Sequence, residues 1–125
     1  MQSVRKAILA LVVPATVFSS SRSFAGEVEI VEASAKRHGD SWTFSVTLKH
    51  DDSGWDHYAD LWQVMAPGGV LLGERELLHP HVDEQPFTRS LSGVQLPEDV
   101  TEVIIRARDS VHDFSPQEYR LALPE

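Results

Sequence analysis

Apolar and polar residues alternate along most of the chain after residue 26. In the clearest segment, residues 42–48, four large apolar side chains are separated by threonine and serine. Because successive side chains of a strand point to opposite faces, this period of two predicts a β-strand with one buried face. No window after the N-terminal segment has the period of an amphipathic helix. We therefore expect an all-β protein.

Six further segments have the composition of short strands. The first contains Val28 and Ile30, and the others are residues 59–65, 70–78, 87–94, 102–108 and 118–123. The sequence Ala-Pro-Gly-Gly at residues 66–69 is a turn signal that joins two of these segments as a hairpin. About seven strands with turns every 8–12 residues or so predict a single two-sheet antiparallel β-sandwich of the immunoglobulin-like class.

The first 25 residues have a different character. Arg5 and Lys6 precede an apolar run at residues 7–18, and Ser23-Phe24-Ala25 has small residues at the positions that a signal peptidase reads. The apolar run is shorter than the roughly 20 residues of a membrane-spanning helix. We therefore expect a signal peptide at residues 1–25, cleaved after Ala25. The remaining domain, residues 26–125, is expected to be secreted or periplasmic and to have no membrane span.

The charge and cysteine content restrict the partners of this domain. After Ala25 the chain has eight basic and nineteen acidic residues, a net charge near −11, and the whole chain has no cysteine. Such an acidic balance argues against nucleic acid, which requires clusters of lysine and arginine. Without disulfides, apolar burial must stabilise the fold. A cationic ligand, a metal ion or simple solubility fits this balance better.

Two consecutive segments carry a family resemblance. Residues 87–97, Phe-Thr-Arg-Ser-Leu-Ser-Gly-Val-Gln-Leu-Pro, and residues 103–110, Val-Ile-Ile-Arg-Ala-Arg-Asp-Ser, resemble strands E and F of a fibronectin type III domain. The resemblance implies an immunoglobulin-like sandwich and brings no activity with it. Thr101 stands near the position of the family's usual tyrosine, so the hydrogen bond of that tyrosine is missing. The whole chain also resembles small, uncharacterised secreted bacterial proteins.

Five of the six histidines lie in three short acidic segments between predicted strands. In the strand order of an immunoglobulin-like sandwich, the three connections share one end of the domain. His38, in an earlier turn, is expected at the opposite end. The segments are residues 50–57 with His50 and His57, residues 79–84 with His79 and His81, and residues 109–113 with His112.

These histidines make a metal site one hypothesis, because imidazole and carboxylate groups suit Zn²⁺ and Cu²⁺. If the segment is extended, His79 and His81 point to the same side and can chelate one ion. A third ligand would come from His50, His57 or His112. Without cysteine, a blue-copper site is excluded.

The same end of the domain also has the side chains of a binding surface. Aromatic and acidic residues could contact a protein or a glycan there. The candidate surface comprises Trp55, Tyr58, Asp56, Asp83, Glu84, Asp109 and Asp113. Two further interpretations stay open: a hydrogen-bonded or solvated cluster that only fixes turns, and a surface that responds to mildly acidic pH.

Catalysis has little support in the sequence. Ser110, His112 and Asp113 have the chemical types of a hydrolase triad but lie within one short loop, and no Gly-x-Ser-x-Gly motif accompanies them. A phosphate-binding loop and a dinucleotide fingerprint are also missing. We therefore expect a secreted, non-enzymatic binding module of unknown ligand. The alternative is a periplasmic protein that binds Zn²⁺ or Cu²⁺ through its loop histidines.

Overall fold

The computed structural model describes residues 26–125 as two antiparallel β-sheets that pack against each other. The all-β prediction and the two antiparallel sheets are confirmed. Residues 26–125 contain no helix, and thus none that is long and apolar enough to cross a membrane. The expected signal peptide, residues 1–25, lies outside the described residues.

Eight strands make up the two sheets. The first sheet has the order β1-β2-β5, and the second has the order β4-β3-β6, with β7 and β8 both paired to β6. The strands are β1 (Glu29–His38), β2 (Ser41–Lys49), β3 (Ala59–Met65), β4 (Leu71–Glu76), β5 (Phe87–Val94), β6 (Glu102–Asp109), β7 (Asp113–Phe114) and β8 (Tyr119–Ala122).

The strand boundaries differ from the expected ones in a few places. β4 and β8 are shorter than the segments predicted for them, and β1 continues to His38. β7 was not expected, because two residues are too few to show an alternating pattern. It forms where Asp113, with a φ of 66°, turns the chain back so that Phe114 pairs with Arg108.

The core lies between the sheets and follows the predicted alternation. Every second residue of β2, from Trp42 to Leu48, is buried, while the residues between them are half-exposed. β6 lies in the middle of the second sheet and buries Val103, Ile105 and Ala107 completely. Burial of such apolar surface, at about 25 cal/mol per Å², is the main stabilising term in a domain without disulfides.

Three loops meet at one end of this core. β2 ends beside the start of β5, since Leu48 pairs with Phe87, and β3 starts beside the end of β6, since Ala59 pairs with Asp109. The β2–β3 loop, the β4–β5 loop and the β6–β7 turn therefore lie close together. His38 pairs with Ser41 at the other end of β2.

Candidate functional site

His50 and His57 are placed by the β2–β3 loop. His50 directly follows β2 and is buried, and its backbone N–H donates to Gln85 Oε1 at 2.9 Å. The loop closes on itself at His57, whose carbonyl accepts from the Ser53 N–H at 3.0 Å and whose N–H donates to Gly54 at 3.2 Å. As a result, the two imidazole rings make an edge contact with 4.8 Å between their centroids.

Asp109 is the last residue of β6 and is only 1% exposed. Its Oδ1 accepts the backbone N–H groups of Val111 at 2.8 Å and His112 at 2.7 Å. Burial by itself raises the pKa of the Asp109 carboxyl, but these donors and the His112 ring outweigh it and lower the pKa. The group is therefore a buried, ionised carboxylate at neutral pH.

The ligand atoms of these residues converge. His50 Nε2 lies 3.6 Å from Asp109 Oδ2, and His57 Nε2 lies 3.4 Å from Asp109 Oδ1. One nitrogen of each histidine and one oxygen of Asp109 all lie within 4.8 Å of one another. His112 adjoins the group, with its Nδ1 at 3.1 Å from Asp109 Oδ2 and its ring centroid 4.9 Å from that of His57.

Asp52 orients His50 from behind. One carboxylate oxygen, Oδ1, lies 2.5 Å from His50 Nδ1 and accepts the backbone N–H of Ala59 at 3.0 Å. The other oxygen, Oδ2, accepts the backbone N–H of His81 at 2.7 Å. A carboxylate on Nδ1 fixes the tautomer of the ring, so that Nε2 presents its lone pair to the cluster. Metal-binding histidines are held in this way in many proteins.

A backbone oxygen completes the group. The Gly26 carbonyl lies 2.9 Å from His50 Nε2 and 3.2 Å from His57 Nε2. Oxygen atoms from Gly26 and Asp109 therefore face the two imidazole nitrogens. Such a concentration of electron-pair donors attracts a cation.

His79 and His81 are also neighbours, with 4.7 Å between their ring centroids. However, the Arg89 guanidinium donates to His81 Nε2 at 2.8 Å, and the His81 ring stacks on Phe87 with 3.9 Å between centroids. Burial, followed by the charge of Arg89 and the nearby His79, lowers the pKa of His81. His81 Nε2 is therefore occupied, whereas His81 Nδ1 is buried and has no hydrogen-bond partner among the described residues.

The remaining sequence-predicted residues lie around the cluster and are more exposed. Asp56, Asp83 and Asp113 are exposed, and Glu84 pairs with Arg89 at 3.3 Å. Trp55 is 66% exposed and makes an edge contact with the half-buried Tyr58. The ring of Phe114 carries the Arg106 guanidinium 3.9 Å from its centroid.

Sequence reasoning did not single out three residues that contact these histidines: Asp52, Gly26 and Arg89. The role of Asp52 was not predicted, although the spacing His50-x-Asp52 could have indicated a carboxylate that supports a histidine. Gly26 was only the first residue after the expected cleavage site, and no pattern marks its carbonyl. Arg89 has no sequence signal of its own, because its contact with His81 depends on the tertiary fold.

Comparisons with known proteins establish similarity in sequence and in fold. No protein-family model matches the chain. Over 74 residues, 59% of this chain, it is 51% identical to a Halomicrobium mukohataei protein described as "Putative lipoprotein". The matched stretch covers 36% of that protein, so the chain spans about a third of the relative's length.

A solved structure shows the same kind of fold. A hypothetical protein from Pyrococcus horikoshii OT3 superposes with a TM-score of 0.55, over 82% of this chain and 95% of the other. The two sequences are 15% identical. At this identity the likeness concerns the fold alone.

Proposed function

We propose that this chain is a domain of the cell exterior or envelope that binds one divalent transition-metal ion. The ligands are His50, His57 and Asp109. The observation that carries this proposal is their convergence: the side chains of His50 and Asp109 are fully buried, and the three ligand atoms lie within 4.8 Å of one another. Burying ionisable groups is costly unless they are paired or bind a metal.

The donor set defines the class of ion. Two imidazoles and one carboxylate suit Zn²⁺, Cu²⁺ and Fe²⁺, whereas Ca²⁺ and Mg²⁺ prefer oxygen ligands alone. His112, beside Asp109, is the nearest further imidazole. Asp52 supplies the outer carboxylate that holds His50 in the metal-binding tautomer.

The test is a metal titration of the tag-free protein after removal of bound metal with a chelator. Calorimetry with Zn²⁺, Cu²⁺ and, without oxygen, Fe²⁺ should give one equivalent with a Kd of about 1 μM or lower. The double variant His57→Gln/Asp109→Asn should lose this binding, and His38→Gln, at the other end of the domain, should keep it. Weak binding of many equivalents, unchanged in the double variant, would contradict the proposal.

The proposed location and fold family have separate support. The pattern of residues 1–25 and the "Putative lipoprotein" description of the Halomicrobium mukohataei relative favour export. The order β1-β2-β5 against β4-β3-β6-β8 supports an immunoglobulin-like sandwich of the fibronectin type III kind. Sequencing the N-terminus of the exported protein tests the location, and we expect it to begin at Gly26.

The proposed role is binding and not catalysis. Among the described residues, Ser110 Oγ accepts the Tyr58 N–H at 3.1 Å and makes no hydrogen bond with a nitrogen of His112, so the two are not arranged as a nucleophile–base pair. An activity screen of the metal-loaded protein against ester and peptide substrates should therefore show no turnover. Turnover that is lost in Ser110→Ala would contradict this part of the proposal.

A second candidate function is recognition of a protein or glycan by the same end of the domain. The observation that favours it is the exposure of two apolar side chains beside the cluster, Trp55 at 66% and Val111 at 57%. Exposed tryptophan is a frequent anchor in binding surfaces. A glycan array tests the glycan form of this function: signals lost in Trp55→Ala would support it, and signals unchanged by that substitution would contradict it.

A further inference from the structure

We propose that Gly26 is itself a metal ligand through its backbone carbonyl oxygen. This inference rests on the proposed metal-binding function and extends its ligand set to the first described residue. The carbonyl oxygen lies within hydrogen-bond distance of both His50 Nε2 and His57 Nε2, at 2.9 and 3.2 Å. A group that both histidines approach with their ligand atoms lies where a shared ion would be coordinated.

The hydrogen bonds of His50 support this assignment. Its Nδ1 is tied to the Asp52 carboxylate, which can only accept a proton. If the ring is neutral, the proton lies on Nδ1, and the Nε2 lone pair then faces the Gly26 oxygen at 2.9 Å. Two acceptors at this distance repel each other unless a proton or a metal ion lies between them. A metal ion satisfies His50, His57 and Gly26 at once.

The local packing leaves no room for a Cβ atom at Gly26 beside the histidines. A Cβ atom at this position would lie 2.8 Å from His112 Cε1 and 3.5 Å from His57 Cε1. Gly26 also has a φ of 85°, which side-chain-bearing residues rarely adopt. Glycine is therefore needed for the carbonyl to reach the cluster.

The following residues hold this short segment in place. Val28 is 3% exposed within the core, and the Gln117 side chain brackets Ile30 by accepting its N–H at 2.7 Å and donating to its carbonyl at 3.0 Å. Gly26 is thus anchored two residues before a fixed point. An anchored carbonyl costs less conformational entropy on metal binding than a mobile one.

The sequence offers a selective NMR test. A glycine precedes a glutamate at only two places, Gly26-Glu27 and Gly73-Glu74. A sample labelled with carbonyl-¹³C glycine and ¹⁵N glutamate therefore gives two carbonyl–amide correlations, one at the site and one built-in control. This holds whether or not residues 1–25 have been removed.

Zn²⁺ should shift the Gly26 carbonyl resonance downfield and leave that of Gly73 in place. Coordination withdraws electron density from the carbonyl more strongly than the imidazole rings that face it in the metal-free protein. An upfield shift would mean that the ion displaces Gly26, and it would overturn the proposal. An unchanged Gly26 resonance with one equivalent of bound Zn²⁺ would overturn it too, while leaving the proposed function intact.

A matched pair of variants measures the contribution of the carbonyl. Gly26→Ala should weaken Zn²⁺ binding by at least about tenfold, because the Cβ pushes the carbonyl away from the histidines. Gly69→Ala carries similar backbone strain, at a φ of 98°, with nothing within 4 Å of the added Cβ, and should keep the affinity. Tighter binding by Gly26→Ala would show that Gly26 competes with the ion, and it would overturn the assignment.

Discussion

Two pairs of histidines lie at the same end of this domain, and their neighbours give them different chemistry. In the pair His50 and His57, both Nε2 atoms face the Asp109 carboxylate and a backbone carbonyl. In the pair His79 and His81, one Nε2 atom already receives a guanidinium N–H at 2.8 Å. The first pair faces oxygen atoms, and the second already contacts a cation.

The difference shows that the spacing of histidines does not determine which group faces their ring nitrogens. His79-x-His81 is the strongest local histidine signal in the sequence, and its two rings are indeed close in space. Arg89 nevertheless contacts one of the two ring nitrogens of His81, Nε2. What decides between the pairs is the charge on the residue that faces each ring.

Asp52 connects the two regions, so its substitution should have the largest effect. Asp52→Ala leaves the buried N–H groups of Ala59 and His81 without their acceptor and releases the His50 ring. We expect the free energy of unfolding of the metal-free protein to fall by about 3–5 kcal/mol in denaturant titrations. Asp51→Ala, at the exposed neighbouring position, should change it by less than about 0.5 kcal/mol. If Asp52→Ala and Asp51→Ala lowered the free energy of unfolding equally, Asp52 would not connect the two histidine pairs.

The second prediction sets the two pairs against each other directly. His57→Gln should weaken metal binding by at least about 100-fold, because it removes a proposed ligand, whereas His79→Gln should change the affinity by less than about threefold. Competition with a chromophoric chelator measures both. If His79→Gln had the larger effect, the ion would lie in the second region.

The third prediction concerns pH in the second region. His81 has a lowered pKa in the fold, so below a pH of about 6.5 the unfolded chain takes up a proton that the folded chain does not. The contribution of His81 to the free energy of unfolding is therefore complete above that pH. It is lost as the pH falls toward the pKa that His81 has in the folded protein. The contribution of His81 to the free energy of unfolding should change by no more than about 1.4 kcal/mol per pH unit, the limit for one proton.

His81→Gln tests this, since an amide oxygen can accept from Arg89 without titrating. Denaturant titrations of the metal-free protein between pH 7 and pH 5 should show a shallower loss of stability in the variant. Parallel curves for the variant and the parent protein would show that His81 does not carry the effect.

The smallest effect is expected at His38, which lies outside both regions. It is exposed at the end of β1, where its carbonyl lies 3.4 Å from Ser41 Oγ. His38→Gln should leave the stoichiometry of metal binding unchanged and shift the free energy of unfolding by less than about 0.5 kcal/mol. A lost equivalent in this variant would mean that exposed histidines contribute to the measured binding.

The sheets were more predictable from the sequence than the site. The alternation of residues 42–48 requires one face to be buried, and β2 buries the expected side chains. The two-residue strand β7 could not be predicted, because it depends on the left-handed turn at Asp113. Strand pairing also follows from long stretches of pattern, whereas a turn depends on one residue.

For the site, the sequence predicted which loops lie close together but not which side chains contact one another. Topology indicated which loops share an end, but the roles of Asp52 and Arg89 depend on single contacts between different loops. The Arg89 contact with His81 joins residues eight positions apart through the β4–β5 loop, and the Gly26 contact with His50 spans 24 positions. No periodic pattern in the sequence indicates contacts at these separations. Every residue has a backbone carbonyl, so the residue type does not show which carbonyl will contact the site.

The two sheets pack mainly through apolar side chains, with polar contacts such as that of Gln117 with the Ile30 backbone. The proposed ligands belong to both sheets. His50 follows β2 of the first sheet, and Asp109 ends β6 of the second. An ion held by both residues would act as a removable cross-link between the sheets of a chain that has no cysteine. Because the ion binds the folded chain and is released on unfolding, it would raise the free energy of unfolding by an amount set by the free metal concentration relative to the Kd, about 2.7 kcal/mol at 100 times the Kd. Outside the cell, the supply of metal would then help to determine how long this domain survives proteases.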